Sequence, residues 1–498
     1  MGIEIDKAEF SADDFARFAE RLPRQVTALG RLLARPGFGS GPASIGAELE
    51  LVLLDADGHA LPISLDVVER VDRPAVTPEL ARFEIELGTD PVPLAGRPFA
   101  ALAADIARTR GAIDAAAAEC GARTGAFGIL PTLRREDLTV HAITDQPRYK
   151  ALTRGLRRLR QAPFHIHIQG DDELEIMSDD AAMEGANTAF QMHLRVEPAA
   201  FANVYNAALI ASAPALAAAA NSPTFLGRRL WDETRVALFT QAGDIRSADG
   251  GADDWQPPAR IGCGTGWMRD GAAEQFGESV ALHDPLLPIL GDEDAEAVVA
   301  RGGVPQLAEL RLHHGTVWYW NRAVYDPTDG GHLRIELRAL PSGPTVTDML
   351  ANAAFLLGLT LDLAHDVDTL LPAFPFACAE RNFHRAARDG LAAELLWPRD
   401  RSSAPEPVEA RVLLPLLVDR ARRGLARAGV DAGEVAARLD VFAARVASGQ
   451  TGAVWQRRAL AVATRTHGGA RALSVMVNRY LAHAATEAPV HTWPLDDA

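Results

Sequence analysis

The spacing of apolar residues changes along the chain between two periods, and each period predicts a type of element. An apolar residue at every third or fourth position is typical of an amphipathic helix, whereas strict alternation is typical of a strand with one buried face. Gly121 and Thr345 or Thr347 are the expected caps of two of the helices. The helical period predicts helices at 8–35, 97–120, 198–220, 345–367 and over most of 411–484.

Alternating segments predict several strands, two of which form a hairpin. FHIHIQ at 164–169 and ELEIM at 173–177 pair as a hairpin that turns at 170–172. Hairpin-connected strands separated by long helices predict the α+β class, with a mainly antiparallel sheet and flanking helices. The remaining predicted strands are IGAELELVLL at 45–54, ARFEIELGTD at 81–90, AFGILP at 126–131, FQMHLRV at 190–196 and HLRIELRAL at 332–340.

One segment is a candidate boundary between two parts of the chain. RSSAPEPVEA at 401–410 is rich in Pro, Ser and charged residues, which is typical of a linker. We therefore expect a catalytic domain over 1–400 and a helical extension over 411–498 that packs on it. Arg457 and Arg458 of the extension either close over the active site or only take part in packing between helices.

Composition narrows the class of protein. The chain has 498 residues, 48% hydrophobic and 23% charged, which is a globular balance. Its net charge of −16 argues against a nucleic-acid binder that works by neutralising phosphates. The most apolar stretch, 207–220, is too short and too rich in alanine to predict a membrane span, so we expect a buried helix there. Three scattered cysteines without a CxxC pair favour a reducing cytoplasm. The oligomeric state stays open, with a homo-oligomer among the options.

Pairs of acidic residues inside apolar strands are the clearest chemical signal. Glu48 and Glu50 alternate in one predicted strand, and Glu84 and Glu86 alternate in the next. Residues two apart in a strand share a face, so each pair places two carboxylates side by side among apolar neighbours. Burial and mutual repulsion both disfavour that arrangement, and a divalent cation relieves both.

Two further strands carry donors of the same kind. Glu336 is flanked at spacing two by Arg334 and Arg338, and His193 lies in FQMHLRV. The ordinary alternative is a solvent-exposed strand face, where alternating acids are common, but three such strands in one chain favour a site. Carboxylates with one imidazole indicate Mg²⁺ or Mn²⁺ rather than Zn²⁺. Several carboxylates around such ions are typical of chemistry on nucleoside triphosphates.

A second motif competes for the metal. His165 and His167 alternate in the first strand of the predicted hairpin, and Glu173 and Glu175 alternate in the second. Imidazoles and carboxylates that converge from two strands suit a metal site. The same alternation is also ordinary in a half-exposed hairpin.

Six segments in a fixed order resemble the glutamate–cysteine ligase family of the carboxylate–amine ligase type. The resemblance covers about 40–395 and implies the glutamine synthetase-like fold. In that fold a curved antiparallel sheet forms a funnel that takes ATP at one end and amino-acid substrates at the other, with Mg²⁺ between. The segments are IGAELEL, PELARFEIELGTD, TAFQMHL, ANSPTFLGRRLWDETRVALF, HHGTVWYWNR and HLRIELRALPSGPTVTDMLANAAF.

The resemblance implies a first metal site made of Glu48, His193 and Glu336. The order of the segments places the metal histidine in FQMHLRV, directly before the long helix that leads to ANSPTFLG. His165 and His167 lie too far upstream for that role. The hairpin that carries them is therefore expected to be an insertion outside the metal set.

The resemblance implies a second metal site built on Glu50 and Glu86. Glu79 lies seven residues before Glu86 and fits the family's upstream ligand. Glu84 falls where close relatives tend to have a neutral residue. We therefore rank Glu79 above Glu84 as the third ligand of this site.

Three arginines match positions at which the family contacts a phosphate or a substrate carboxylate: Arg235 in DETR, Arg322 in WNR and Arg338 in ELR. A planar guanidinium binds either group through two hydrogen bonds, so all three are candidate catalytic residues. Arg235 and Arg338, with Ser222 in SPTFLG and Asn321 in WNR, are the candidate nucleotide contacts. From the residues alone, Arg235 is equally a surface residue on a helix, and Ser222 a helix-end residue.

The implied reaction joins a carboxylate to an amine with ATP, through an acyl phosphate. Glutamate is the expected acid and cysteine the expected amine, which gives γ-glutamylcysteine. A different amine or acid is the first alternative, because His313, His314 and the aromatic residues after them could shape another acceptor pocket. More remote alternatives are a phosphotransferase like the phosphagen kinases, which share a related catalytic fold, and a binding protein without activity.

Overall fold

Helices and short strands alternate along the residues that the computed structural model describes, 5–246 and 255–495. The helices are α1 Ala12–Leu33, α2 Ser64–Val71, α3 Pro98–Glu119, α4 Pro147–Arg160, α5 Phe201–Ala219, α6 Thr234–Ala242, α7 Ala272–Leu282, α8 Ala295–Ala300, α9 Ala308–His314, α10 Val346–Ala364, α11 Val367–Leu370, α12 Phe376–Asp389, α13 Ala410–Arg427, α14 Ala432–Ser448, α15 Gly452–Thr466 and α16 Gly469–Ala484. The strands are β1 Ser44–Leu54, β2 Val76–Pro78, β3 Glu84–Gly88, β4 Val92–Pro93, β5 Arg123–Gly125, β6 Phe164–Gln169, β7 Glu173–Ser178, β8 Phe190–Val196, β9 Thr224–Phe225, β10 Arg228–Arg229, β11 Ile261–Gly262, β12 Trp318–Tyr319, β13 Asn321–Asp326, β14 His332–Leu337, β15 Glu394–Trp397 and β16 Glu406–Glu409.

One antiparallel sheet organises the described residues. Its main strand order is β13-β14-β8-β1-β3-β2, and β4 and β5 also pair with β1. Within β1, residues 45–49 pair with β8 and residues 48–52 pair with β3. The sheet is curved, with helices packed against it. The predicted α+β class with a curved, mainly antiparallel sheet is therefore confirmed.

The central strand has one apolar and one acidic face, because side chains alternate along it. Ile45, Leu49 and Leu53 are fully buried in the hydrophobic core, which also contains the side chains of α5 and α10. Glu48 and Glu50 lie on the other face of the same strand. The large core is thus what holds the acidic residues in place, since β1 cannot shift its register without burying them in apolar surroundings.

Two core helices are apolar almost all round. α10 begins where predicted, with Thr345 as N-cap accepting a hydrogen bond from the backbone N–H of Asp348 at 3.0 Å. The segments 198–219 and 346–364 are long and apolar enough to cross a membrane by length and composition, but 78% and 83% of their apolar windows are buried inside the protein. That burial is typical of core helices. The buried helix predicted for 207–220 is confirmed.

The helices after residue 410 share the main core. Leu414 of α13 and Phe442 of α14 belong to the same hydrophobic cluster as the sheet. The prediction of a linker over 401–410 is wrong for its second half, because 406–409 forms β16 and pairs with β15. Pro407 is tolerated there since this strand lies in a two-stranded sheet with a free edge. The division of the chain into two parts stays a prediction.

The predicted strand AFGILP at 126–131 is also wrong. The strand lies just before it, at Arg123–Gly125, and 126–131 runs through the core without a partner strand. Its backbone groups bond to loops and side chains instead. Gly128 donates to the carbonyl of Asn221 at 3.3 Å, and the Tyr480 hydroxyl donates to the carbonyl of Ala126 at 2.8 Å. A buried apolar run therefore needed no sheet to satisfy its polar groups.

A buried ion pair joins α14 to α10. The Arg445 guanidinium donates to the Asp348 carboxylate at 2.9 Å, and both side chains are almost completely inaccessible. Arg445 also donates to the side chain of Asn352 and, at 3.2 Å, to the carbonyl of Ala218 in α5. The Asp348 carboxylate in turn accepts from the backbone N–H of Val490 at 2.9 Å. One arginine thus connects three helices and the C-terminal segment.

Three buried histidines pack where α7, α9 and β12 meet. His313 lies 2.9 Å from the carbonyl of Ser279, and His283 lies 3.2 Å from the hydroxyl of Tyr319. Burial lowers the pKa of His283 to about 3 and that of His313 to about 4, and it lowers the pKa of His314 well below its ordinary value. All three imidazoles are therefore neutral in the folded protein at neutral pH.

Replacing Arg445 by Met should destabilise the protein strongly, because Asp348 would be left buried with its charge uncompensated. We expect the free energy of unfolding to fall by about 3–5 kcal/mol in urea denaturation followed by circular dichroism. The control is Arg422→Met, which removes an exposed pair with Asp440 at 3.3 Å and should cost less than about 1 kcal/mol. Equal losses in the two variants would contradict the anchoring role of Arg445.

The buried histidines should make stability fall in acid. Between about pH 6.5 and pH 4 the unfolded chain binds a proton at His313 that the folded protein does not, so stability falls as pH falls through this range. His313→Gln should remove about 1.4 kcal/mol per pH unit of this slope, measured as the difference between the unfolding free energies of the variant and the wild type. An unchanged slope, or an equal change in the control His141→Gln at an exposed position, would refute the assignment.

Candidate active site and metal centre

The acidic face of the sheet opens onto a cavity of about 730 Å³. Alternation in β1, β3, β8 and β14 turns the polar residues of each strand toward it and the apolar ones into the core. Predicted site residues from β1, β3 and β14 meet there, and Arg322 of β13 and Arg235 of α6 join them, whereas His193 of β8 is not among the lining residues. The predicted residues that line the cavity are Glu48, Glu50, Glu79, Glu84, Glu86, Arg235, Arg322, Glu336 and Arg338.

Glu48, His193 and Glu336 form a three-donor cluster. One ligand atom from each lies within 4.8 Å of the others. The strand register explains this, because His193 is directly opposite Glu336 between β8 and β14, and Gly46 of β1 is directly opposite His193. His193 Nε2 lies 3.2 Å from a Glu48 oxygen. Among the described residues Nδ1 of His193 has no hydrogen-bond partner, and Nε2 faces the Glu48 carboxylate, so the imidazole can offer a nitrogen to a cation.

Two arginines hold Glu336 in its ionised form. Arg322 donates to both carboxylate oxygens, at 2.7 and 3.0 Å, and Arg338 lies 3.3 Å from one of them. Burial alone would raise the pKa of Glu336, but these guanidinium groups hold it well below its ordinary value. Arg322 Nη1 is buried without a partner among the described residues and is left to bind another anion.

Glu50, Glu79 and Glu86 form a second acidic group. Glu86 lies directly opposite Glu50 between β3 and β1. Burial raises the pKa of each of the three to about 8, and the next cause in each case is repulsion by a nearby glutamate. The Glu50 carboxylate accepts hydrogen bonds from Ala189 N–H and from the Gln191 side chain at 2.9 Å. A divalent cation among these carboxylates would relieve both the burial cost and the repulsion.

Two more glutamates belong to this acidic group. The sequence ranks Glu84 below Glu79 as a metal ligand, and it does not mark Glu184 at all. Glu84 is 2% exposed, and its Oε1 has no partner among the described residues. Glu184 lines the cavity from the turn 182–186, and burial raises its pKa to about 7. No periodic pattern marks Glu184, because a single acid in an irregular turn looks like a surface residue. Which of Glu79 and Glu84 completes the second metal set stays open.

Arg235 is a buried cavity residue, so the surface alternative is wrong. It is 3% exposed and its guanidinium donates to Glu233 at 2.8 Å and to the carbonyl of Arg338 at 3.4 Å. Its charge lies over the ring of Trp320, 5.5 Å from the centroid. These contacts fix the guanidinium beside Arg338 on the wall of the cavity.

Ser222 and Asn321 are not among the residues that line the cavity, and their role as nucleotide contacts stays a prediction. Both are fully buried. The Ser222 hydroxyl accepts a hydrogen bond from the backbone N–H of Arg235 at 3.2 Å and so positions that arginine. Asn321 precedes Arg322 in β13, and alternation turns its side chain to the opposite face, where it contacts Ser212. The sequence motifs alone do not show which way the side chains of Ser222 and Asn321 point.

The hairpin motif lies outside the cavity, as the order of segments predicts. His165 and His167 lie on the exposed face of β6 and pair with Glu175 at 3.0 Å and with Glu173 at 2.7 Å. Among the described residues none of these four belongs to a three-donor cluster. Arg457 binds Asp171, in the turn of this hairpin, and Asp232, so it takes part in packing and does not line the catalytic cavity.

The histidine pair expected to shape an acceptor pocket is divided between two roles. His313 belongs to the buried packing cluster, whereas His314 also lines the cavity. Sequence reasoning also missed three polar residues of the cavity wall, among others. These are Gln191, Arg148 and Tyr149.

A family model and solved structures were compared with the chain. The model of glutamate–cysteine ligase family 2 matches residues 44–475. A glutamate–cysteine ligase from Francisella tularensis in complex with AMP is similar with a TM-score of 0.56 at 11% identity, over 92% of this chain and 91% of that one. A bifunctional glutathione synthetase from Pasteurella multocida is similar with a TM-score of 0.51 at 13% identity, over 92% of this chain and 54% of that one. This chain therefore spans about half the length of the second protein.

The two solved structures bear on the fold alone at these identities, and no curated protein sequence matches the chain. The family match covers most of the chain and includes every strand that lines the cavity. The chain therefore belongs to glutamate–cysteine ligase family 2 and is an ATP-dependent ligase that forms carbon–nitrogen bonds.

Proposed function

We propose that this ligase uses ATP to activate the γ-carboxylate of glutamate and joins it to an amine through an acyl phosphate. The observation that carries the proposal is the cluster of Glu48, His193 and Glu336 beside Arg322 and Arg338 on one face of the sheet. Donors for a hard divalent cation and two guanidinium groups at one place suit a triphosphate whose terminal group is transferred. The glutamate–cysteine ligase from Francisella tularensis was solved with AMP, which supports nucleotide use.

The donor set fits Mg²⁺ or Mn²⁺. Glu48, His193 and Glu336 would hold one ion, and Glu50 and Glu86, with Glu79 or Glu84, would hold another. When bound, these ions would neutralise charge on phosphate oxygens.

Arg322 and Arg338 supply positive charge next to the metal ligands. Arg322 is fixed by its two hydrogen bonds to Glu336 and keeps Nη1 available for a phosphate oxygen. Arg338 donates to Gln191 at 2.6 Å, which holds it between the two acidic groups. Guanidinium groups fixed before the substrate arrives stabilise charge that develops on the transferred phosphoryl group without having to reorient.

Cysteine is the acceptor that the family name favours, and a different amine is the alternative. The phosphotransferase alternative differs in its products, since it would leave phosphate on the acceptor. A location in the cytoplasm and a homo-oligomeric state remain predictions from the sequence.

The reaction is tested by its requirement for both substrates. With Mg-ATP, glutamate and an amine we expect ADP, free phosphate and an amide, measured by coupled ADP assay, phosphate assay and mass spectrometry. Omitting either substrate should remove nearly all phosphate release. A phosphorylated amine without free phosphate would instead identify a phosphotransferase.

Replacing His193 by Ala should abolish turnover, because the three-donor cluster would lose its nitrogen ligand. We expect kcat to fall by about a hundredfold or more, since changes even in the second shell of metal sites cost up to about that much. The matched control is the double variant His165→Ala, His167→Ala, which removes two exposed histidines from the hairpin and should keep wild-type activity. Loss of activity in the double variant but not in His193→Ala would move the metal site to the hairpin.

A further inference from the structure

Arg235 lies on the wall of the cavity and is held there by three hydrogen bonds. Its Nε–H donates to Glu233 at 2.8 Å, and its two Nη groups donate to the backbone carbonyls of Arg338 and Ala339. A guanidinium carries five N–H bonds, so two of them have no partner within residues 5–246 and 255–495. These two bonds are available to a substrate anion only while the guanidinium keeps its orientation.

Glu233 sets this orientation. It is 0% exposed and lies two residues before Arg235, to which one of its carboxylate oxygens is bound. The other oxygen accepts a hydrogen bond from the backbone N–H of Asn221 at 2.8 Å. Burial raises the pKa of Glu233, but the charge of Arg235 and hydrogen bonds from Asn221 and Ser222 oppose that rise. Each oxygen of this buried carboxylate therefore has its own fixed partner.

Asn221 uses every polar group of its side chain. Its Nδ2 donates to the carbonyl of Ser342 at 2.7 Å and to the hydroxyl of Tyr480 at 2.9 Å. Its Oδ1 accepts from the Gln456 side chain at 2.8 Å. The hydroxyl of Ser342 in turn donates to the carbonyl of Glu50 at 2.7 Å, which connects Asn221 to the central strand of the sheet. Because Asn221 is completely buried, these bonds fix its position.

Two of these partners belong to the helices after residue 410. Gln456 lies in α15 and Tyr480 in α16, and both side chains are completely buried. Gln456 donates a second hydrogen bond, to the backbone carbonyl of Asn221 at 3.0 Å. The first residue of α15 is Gly452, and a Cβ at that position would collide with Asn221 Oδ1. This helix therefore packs directly on the segment that carries Asn221.

We propose that Glu233 is a positioning residue for Arg235, and that Gln456 acts on the same arginine through Asn221. Because it requires Arg235 to contact a substrate, this inference rests on the proposed function. Every link between Gln456 and Arg235 is a hydrogen bond between buried groups, so the loss of one link lets the guanidinium turn away from the substrate. The helices after residue 410 are thereby part of the catalytic apparatus, although neither Gln456 nor Asn221 lines the cavity.

Gln456→Met tests the far end of this series of contacts and leaves the charges of Glu233 and Arg235 in place. We expect kcat/KM with Mg-ATP, glutamate and cysteine to fall by about threefold to tenfold, because Asn221 Oδ1 loses its donor. The matched control is Arg458→Met, at an exposed position of the same helix, which should keep the wild-type value. An unchanged kcat/KM in Gln456→Met would contradict the inference.

Glu233→Gln should lower kcat/KM by about tenfold or more, because the hydrogen bond that it weakens joins two charged groups. A double-mutant cycle with Arg235→Lys separates positioning from folding. In the Arg235→Lys background, Glu233→Gln and Gln456→Met should each change kcat/KM by less than about twofold. Gln456→Met should nevertheless lower the midpoint of urea unfolding equally in both backgrounds. Equal losses of kcat/KM in the two backgrounds would show that these residues act independently of Arg235, which refutes the inference.

Crystal structures of the variants give a result that does not depend on the substrate. In Glu233→Gln, and to a smaller extent in Gln456→Met, the Arg235 guanidinium should lose its hydrogen bond to the carbonyl of Ala339. A guanidinium that is unmoved in both variants would overturn the inference. If the wild type releases no phosphate that depends on glutamate and an amine, the proposed function fails, and the orientation of Arg235 in the variants still decides whether Glu233 and Gln456 position it.

Discussion

The burial of like charges on one face of a sheet is the constraint on which this structure depends. Glu48 and Glu50 cannot leave their positions, because the alternate residues of β1 are locked into the core. Their carboxylates therefore stay in the cavity together with those of Glu86 and Glu336. Burial and repulsion by neighbouring glutamates raise the pKa of Glu50 and of Glu86 to about 8 each. A site with this imbalance is built to hold added positive charge.

A chain of contacts distributes this charge over four strands. Glu50 accepts from Gln191, Gln191 accepts from Arg338, and Arg338 lies against Glu336, which binds Arg322. Each step joins neighbouring strands of the sheet, from β1 through β8 and β14 to β13, with Arg338 just past the end of β14. The two acidic groups are thus coupled electrostatically, so that a cation bound at one lowers the cost of ionising the other. The sheet itself sets the spacing of these groups, and no loop has to order before they meet.

The sequence predicted the part of the site that lies on strands, because alternation shows which residues share a face. Acids two apart in an apolar strand share a face, and this alone brought Glu48, Glu50 and Glu86 together. The order of the family segments then indicated that His193, and not the hairpin histidines, is the metal ligand. Residues outside regular strands could not be predicted in the same way. Glu184 lies in an irregular turn, and its position depends on a close contact between the turn and a distant loop. The side chain of Asn321 lies on the face of β13 opposite to that of its neighbour Arg322, a direction that the motif did not give.

The residues of the cavity that lie on the sheet are more tightly constrained than those on its other walls. On the sheet, metal ligands must meet within a few ångströms, so the strand register and the residue types are fixed together. Glu84 lies in a sheet strand, at the edge of the second acidic group. The other walls come from α4, from the turn before β8 and from the segment after β2. A residue there can change without disturbing the sheet. Residues at such positions can therefore differ between ligases without a change in the sheet.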